Sequence, residues 1–201
     1  MVKTPIEFYF DFSSPYGYLA AHRIDDVGAE AGRAVLWRPI LLGAVFKATG
    51  QSPLVSQPLR GPYHLHDLKR TARRLKLPFQ LPDDFPMATI AAARAFYALE
   101  AGSPADAKRL ALALFDAAFQ RGINISATET VLGLGAEIGL DPARLEAGIK
   151  DNDVKQRLKA ETDGAIARNI FGSPFFVVDG EMFWGNDRIP DLRDWLKTGG
   201  W

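Results

Sequence analysis

The stretch Phe8-Tyr9-Phe10-Asp11-Phe12-Ser13-Ser14-Pro15-Tyr16 constrains this chain more than any other. Ile6, Phe8, Phe10 and Phe12 alternate with Glu7, Tyr9 and Asp11, the period of a strand with one face in a core. The alternation ends at a hydroxyl pair, and Pro15, suited to the first position of a helix, opens a helical pattern over 15–31. Ser14 is therefore expected where a strand feeds a helix N-terminus. Unpaired backbone N–H groups and the positive end of the helix dipole lie beside such a residue, and they favour a phosphate, a carboxylate or a thiolate. A second informative stretch lies far downstream, at Gly172-Ser173-Pro174-Phe175-Phe176-Val177-Val178-Asp179-Gly180.

Composition narrows the chemistry. The 201 residues suit one domain or two small ones, and the 47% hydrophobic content is ample for a packed core. Lys plus Arg and Asp plus Glu balance at 24 each, so no global field draws the chain to nucleic acid or an anionic membrane. No apolar run approaches the roughly 20 residues that span a bilayer. The opening residues run straight into a strand without the pattern of a signal peptide, and a cytoplasmic protein is expected. There is no cysteine, which excludes disulfides, thiolate metal sites and redox chemistry by a protein thiol.

Along the chain, 34–39 reads as a second strand closed by Pro39, so the opening βαβ predicts a parallel pair. Residues 40–48 allow a short helix and 49–62 read as loop. Helices are expected from about His64 to Lys76 and over 87–101, 104–121, 128–138, 141–150 and 151–170. Leu110, Leu114, Phe115, Ala118 and Phe119 share one face of the third of these. Ser126 or Thr128 is expected to cap the helix over 128–138, and Asp141 the one that follows. Phe175 to Val178 and Glu181 to Trp184 read as a hairpin across Asp179-Gly180, before a last helix marked by Ile189, Leu192, Trp195 and Leu196. The order is βαβ, an all-helical block, then ββα. A discontinuous α/β domain is expected over 1–62 and 165–201, interrupted by an inserted helical domain over 63–164.

Ser14 alone reads most simply as a helix cap. A proline at the mouth of a central strand is less expected, because it interrupts the ladder. A cis Ser173–Pro174 peptide resolves that conflict, leaving the carbonyl and N–H of Ser173 free to pair with an extended ligand. These residues, with Gly50 and Phe183-Trp184-Gly185-Asn186-Asp187-Arg188, give a chain that resembles the DsbA-like thioredoxin superfamily with a helical insertion. Where that superfamily places a cysteine pair, this chain has Ser13-Ser14-Pro15-Tyr16. The replacement resembles the kappa-class glutathione transferases and, more closely, the 2-hydroxychromene-2-carboxylate isomerases.

The resemblance implies a thioredoxin-like fold, a homodimer and glutathione as cofactor. It also implies a small aromatic carboxylate as substrate, and a glutathione-dependent cis–trans isomerisation in aromatic hydrocarbon degradation. Alternatives are a kappa-like transferase or peroxidase and a non-catalytic glutathione binder. By resemblance Ser14 donates its hydroxyl to the glutathione sulfur rather than attacking substrate, and Ser173 and Pro174 face it. A serine nucleophile would need an adjacent base, and His22 lies about 12 Å along the helix at ~1.5 Å per residue. Asn186 and Asp187 read both as a cap for the last helix and as holders of the γ-glutamyl carboxylate and ammonium. Trp184 and Gly185 line the approach. Lys47, Gln51 and Arg60 are implied contacts for glutathione or for the substrate carboxylate, with Gln51 standing where the family typically has asparagine.

The remaining polar features read as structural. Asp11 falls on the alternate face of a buried strand, where a carboxylate needs hydrogen bonds or neutralisation; it reads as a satisfied structural group near the helix start, with tuning of the site as the second reading. Lys69, Arg70, Arg73, Arg74 and Lys76 read as a solvated helix face, with steering of an anionic ligand as the second reading. His64 and His66 have no third ligand to make a metal site. Met87 reads as core, with the border of a substrate cavity as the second reading.

Overall fold

The computed structural model describes residues 3–201. Strand β1 (Ile6–Phe10) lies inside the sheet, parallel to β2 (Val35–Pro39) and antiparallel to β3 (Phe175–Val178). β3 turns through Asp179 and Gly180, both with positive φ, into β4 (Glu181–Trp184), so the order is β2-β1-β3-β4. Helix α1 (Pro15–Ala31) connects β1 to β2. The central place of β1 explains its aromatic content, because each of its faces meets protein. Ile6, Phe8 and Phe10 are wholly buried on one face, and Phe8 stacks on Phe10 and Phe176 at 4.9 and 5.5 Å. On the other face Tyr9 packs with Phe175, Val177, Ala165 and Ile170.

Between β2 and β3 lie α2 (Leu42–Thr49), α3 (Arg60–Leu75), α4 (Ile90–Glu100), α5 (Pro104–Phe119), α6 (Thr128–Glu137), α7 (Pro142–Lys150) and α8 (Asn152–Ala167). A 3-10 turn at Asn186–Arg188 leads into α9 (Ile189–Thr198). This is an α/β thioredoxin-like fold with a helical insertion. The insertion shares its core with the sheet: the Phe10 ring meets Phe96 at 6.1 Å and Phe115 at 5.6 Å, and Phe12 meets Phe115 at 5.1 Å. The α5 residues whose spacing predicts one buried face are wholly buried. Each buried phenylalanine contributes about 1.5–3 kcal/mol by leaving water.

Several local expectations are corrected. β1 ends at Phe10 rather than Phe12, because Asp11 turns out of the ladder to bond Ser173 and Ser14. Helix α3 starts at Arg60, not near His64, so the loop expected over 49–62 is shorter and also holds a 3-10 turn at Leu54–Ser56. Ala127 occupies the cap position of α6 and makes no side-chain bond there. Ser126 Oγ accepts from the Ala88 N–H instead, joining two loops. Asp141 caps α7 as expected, accepting from the Ala143 N–H at 2.9 Å. Met87 is buried in the core. Phe85–Pro86 is a cis peptide with no signal in the sequence reading. Among the described residues no helix is long and apolar enough to cross a membrane.

Candidate active site

Ser14 is the N-cap of α1, with extended backbone at φ −93°, ψ 110°. Its Oγ accepts from the Gly17 N–H at 3.0 Å and donates to the Ser173 carbonyl at 2.9 Å. Ser173 Oγ accepts in turn from the Asp11 N–H at 3.0 Å. The strand–helix turn and the Ser173–Pro174 segment are thus joined by reciprocal hydrogen bonds, although 159 positions separate Ser14 from Ser173. The Ser173–Pro174 peptide is cis. The Ser173 carbonyl, expected to be free for an extended ligand, is instead occupied by the Ser14 hydroxyl. The Ser173 N–H donates to no acceptor among the described residues. Pro174 holds the start of β4's exit by accepting from the Gly185 N–H at 3.0 Å. Close approach explains two glycines here. A Cβ on Gly17 would lie 3.0 Å from Ser173 Oγ, and one on Gly172 only 2.2 Å from the Trp184 indole nitrogen.

Asp11 braces this junction from beneath. Its buried carboxylate accepts from the Ser13 N–H (2.8 Å), the Leu42 N–H at the start of α2 (2.7 Å) and the Thr89 hydroxyl (2.7 Å). Burial pushes the Asp11 carboxyl up, and the same donors oppose that shift. Thr89 stands in the cap position of α4, yet its hydroxyl serves Asp11 rather than its own helix. One carboxylate therefore ties the α1 entry to α2 and α4. Asp11 is thus a hydrogen-bonded group at the helix start, as its structural reading requires.

The rim is built from α1, α3 and β4. Tyr16 OH donates to Asp67 Oδ2 at 2.6 Å, with His64 Nδ1 at 3.4 Å. Burial first, then Asp67, drives the Tyr16 hydroxyl well above its ordinary pKa, so it stays protonated. Trp184 is 46% exposed, with its ring edge against Phe171 at 4.8 Å. Asn186 is buried and accepts from Arg23 Nη1 at 3.1 Å, whereas Asp187 is exposed and pairs with Arg188 at 2.9 Å. Neither caps α9: a 3-10 turn intervenes, and the cap position falls to Arg188 without a side-chain bond.

The structure joins Ser14 to Ser173, the residue before Pro174, and joins Gly185 to Pro174 directly. Lys47, in the last turn of α2, and Arg60, at the start of α3, are exposed, and neither side chain pairs with a described residue. Gln51 lines a depression of about 410 Å³ with Val45, Thr49 and Phe171, on the side where Phe171 meets Trp184. Among the described residues no cluster of His, Asp and Glu could hold a metal ion. Sequence reasoning missed Asp67, Thr89 and Arg23. Spacing could have found Arg23, which lies on the same face of α1 as Tyr16 at i+7. Thr89 carried no signal.

A sheet of this order, with a serine-capped helix facing a cis-proline, defines a thioredoxin-type protein whose junction lacks thiols. The chain belongs to the family described as the DSBA-like thioredoxin domain, whose model matches residues 5–197. It is 28% identical over 198 residues to the 2-hydroxychromene-2-carboxylate isomerase of Sphingobium xenophagum, covering 98% of this chain and 99% of that one. It is 26% identical over 203 residues to the human glutathione S-transferase kappa 1, covering 95% and 90%. The solved structure of a 2-hydroxychromene-2-carboxylate isomerase superposes with a TM-score of 0.85 at 29% identity, covering 96% of this chain and 94% of that one. These full-length likenesses support an isomerase.

Proposed function

We propose that this chain is a glutathione-dependent isomerase that interconverts 2-hydroxychromene-2-carboxylate and trans-o-hydroxybenzylidenepyruvate during aromatic hydrocarbon degradation. The observation that carries the proposal is the Ser14 hydroxyl, held at the N-terminus of α1 against Ser173-Pro174 in a chain with no cysteine. The residues present fit glutathione. Ser14 offers a rotatable hydroxyl, Ser173 an unused N–H for an extended peptide, and Asp187 an exposed carboxylate for an ammonium. Held by these residues, glutathione would supply a thiol for reversible conjugate addition to the enone formed when the hemiketal opens: a C–S bond would form as the C=C becomes a rotatable single bond, and elimination would break that C–S bond, restore the alkene and return the thiol.

The chain's own residues do the rest. Ser14 turns its O–H from the Ser173 carbonyl toward the sulfur while still accepting from the Gly17 N–H. That donor and the α1 dipole favour the anion, because a helix N-terminus lowers a thiol's pKa from about 8.5. Pro174 packs against the bound peptide, Trp184 and Gly185 line its entry, and Asn186 with Asp187 holds its γ-glutamyl end. Lys47, Gln51 and Arg60 attract the substrate carboxylate. A cytoplasmic homodimer belongs to the same reading.

The test is a spectrophotometric isomerase assay with and without glutathione. Turnover is expected only with glutathione. Ser14→Ala is expected to lose on the order of 10²-fold, the usual cost of removing one donor to a developing anion. Its fold should survive, since a lost N-cap costs about 1 kcal/mol. Full activity in glutathione-free buffer would refute the mechanism. The likeness to the human kappa-class relative favours a second reading, conjugation of glutathione to electrophiles. That reading predicts consumption of glutathione, whereas the isomerase returns it intact.

A further inference from the structure

Arg23 has an unusual position for a half-buried cation. Among the described residues its only side-chain partner is Asn186 Oδ1, at 3.1 Å, and no carboxylate forms an ion pair with it. Burial and the positive charges of Arg193 and Arg74 all act against its charge, and Arg193 is already neutralised by Glu30 at 2.9 Å. Burying a cation without a counter-ion is costly, so its persistence asks for an anion that binds nearby.

The contact also decides which way the Asn186 amide faces. A guanidinium has only donors, so the atom toward Arg23 must be the amide oxygen. Asn186 Nδ2 then points the other way. It donates to no described residue, yet it is not sealed off: among the described residues the wholly buried side-chain nitrogens without a hydrogen bond are Arg38 Nε and Arg94 Nε. Tyr16 and Arg23, at i and i+7 of α1, both face the 3-10 turn at Asn186–Arg188; Tyr16 feels the Asp187 charge while Arg23 holds Asn186.

We infer that Arg23 is the positioning residue of a carboxylate subsite: it locks Asn186 with its amide N–H₂ presented outward and supplies the positive charge behind it. The ligand chemistry is an α-carboxylate beside an ammonium, the latter met by Asp187. This inference rests on the proposed glutathione binding, whose γ-glutamyl end has that chemistry.

Calorimetry with glutathione and with its analogue lacking the γ-glutamyl α-carboxylate, γ-aminobutyryl-cysteinylglycine, tests it. Arg23→Gln is expected to weaken glutathione about tenfold, the worth of one charge-assisted hydrogen bond, and to leave the analogue unchanged. Arg23→Lys keeps a donor-only cation and is expected to stay within about threefold of the parent. Asn186→Asp has the same shape and gains an ion pair with Arg23, so it should fold. It is expected to reject glutathione at least about tenfold while keeping the analogue. Equal losses for both ligands, or no loss in Arg23→Gln and Asn186→Asp, would overturn the role of Arg23 alone. If the parent protein binds neither ligand, the glutathione reading falls and this inference with it.

Discussion

A serine hydroxyl has one proton to give, and Ser14 gives it to the Ser173 carbonyl while taking the Gly17 N–H. The bond is 2.9 Å long and neutral, so a thiolate arriving nearby is the stronger acceptor. Beneath it, Asp11 accepts from Ser13, Leu42 and Thr89 at once. Asp11→Asn keeps the shape but replaces one oxygen with an N–H₂ group. With the oxygen left to Ser13 and Thr89, that group meets the Leu42 N–H donor to donor. A loss of about 1–3 kcal/mol is expected, read as a lower denaturant midpoint. Ser14 and Pro174 were legible because proline and hydroxyl residues mark strand ends and helix starts. Thr89 was not, because its bond to Asp11 spans 78 positions of sequence and spends a cap residue on another element.

Helix α1 carries the candidate site, and its periodicity made it readable: Tyr18, Leu19, Ile24 and Val27 are all buried. The insertion supports it through aromatic contacts at the strand–helix turn. Phe115 of α5 touches the rings of Phe10, Phe12 and Tyr18. Phe115→Ala is therefore expected to cost about 3–5 kcal/mol in chemical denaturation. A much smaller loss would mean that the insertion packs loosely on the turn. Element ends were less legible than element identity. The start of α3 escaped because Leu59, a residue that disfavours the left-handed region, adopts φ 64° there. The α9 cap was misread because Asn186 and Asp187, good caps by type, begin a 3-10 turn instead.

At the scale of the whole molecule, the sheet faces opposite kinds of support. One face is aromatic core, while the other carries charge at its margin, where Glu7 receives both Nη atoms of Arg168 at 2.9 Å. The Arg168 hydrogen bonds hold the Glu7 carboxyl below its usual range, against the opposing effect of burial. A depressed folded-state pKa stabilises above the unfolded value of about 4.5 and is lost as pH falls through the folded one. Urea midpoints followed toward acid should fall less steeply in Arg168→Gln than in the parent. An identical slope would mean the pair contributes nothing. The neutral overall balance, 24 charges of each sign, leaves electrostatics at the candidate site to local groups such as the α1 N-terminus, and in the proposed subsite Arg23, rather than to a global field.

The most direct measurement is the ionisation of glutathione's thiol on the protein, followed by its ultraviolet thiolate absorbance across pH. The parent protein should titrate the bound thiol clearly below the ~8.5 of a free one, and Ser14→Ala should bring it back toward that value. A bound thiol that ionises as it does in water, or one whose pKa is the same in both proteins, would contradict the assignment of Ser14.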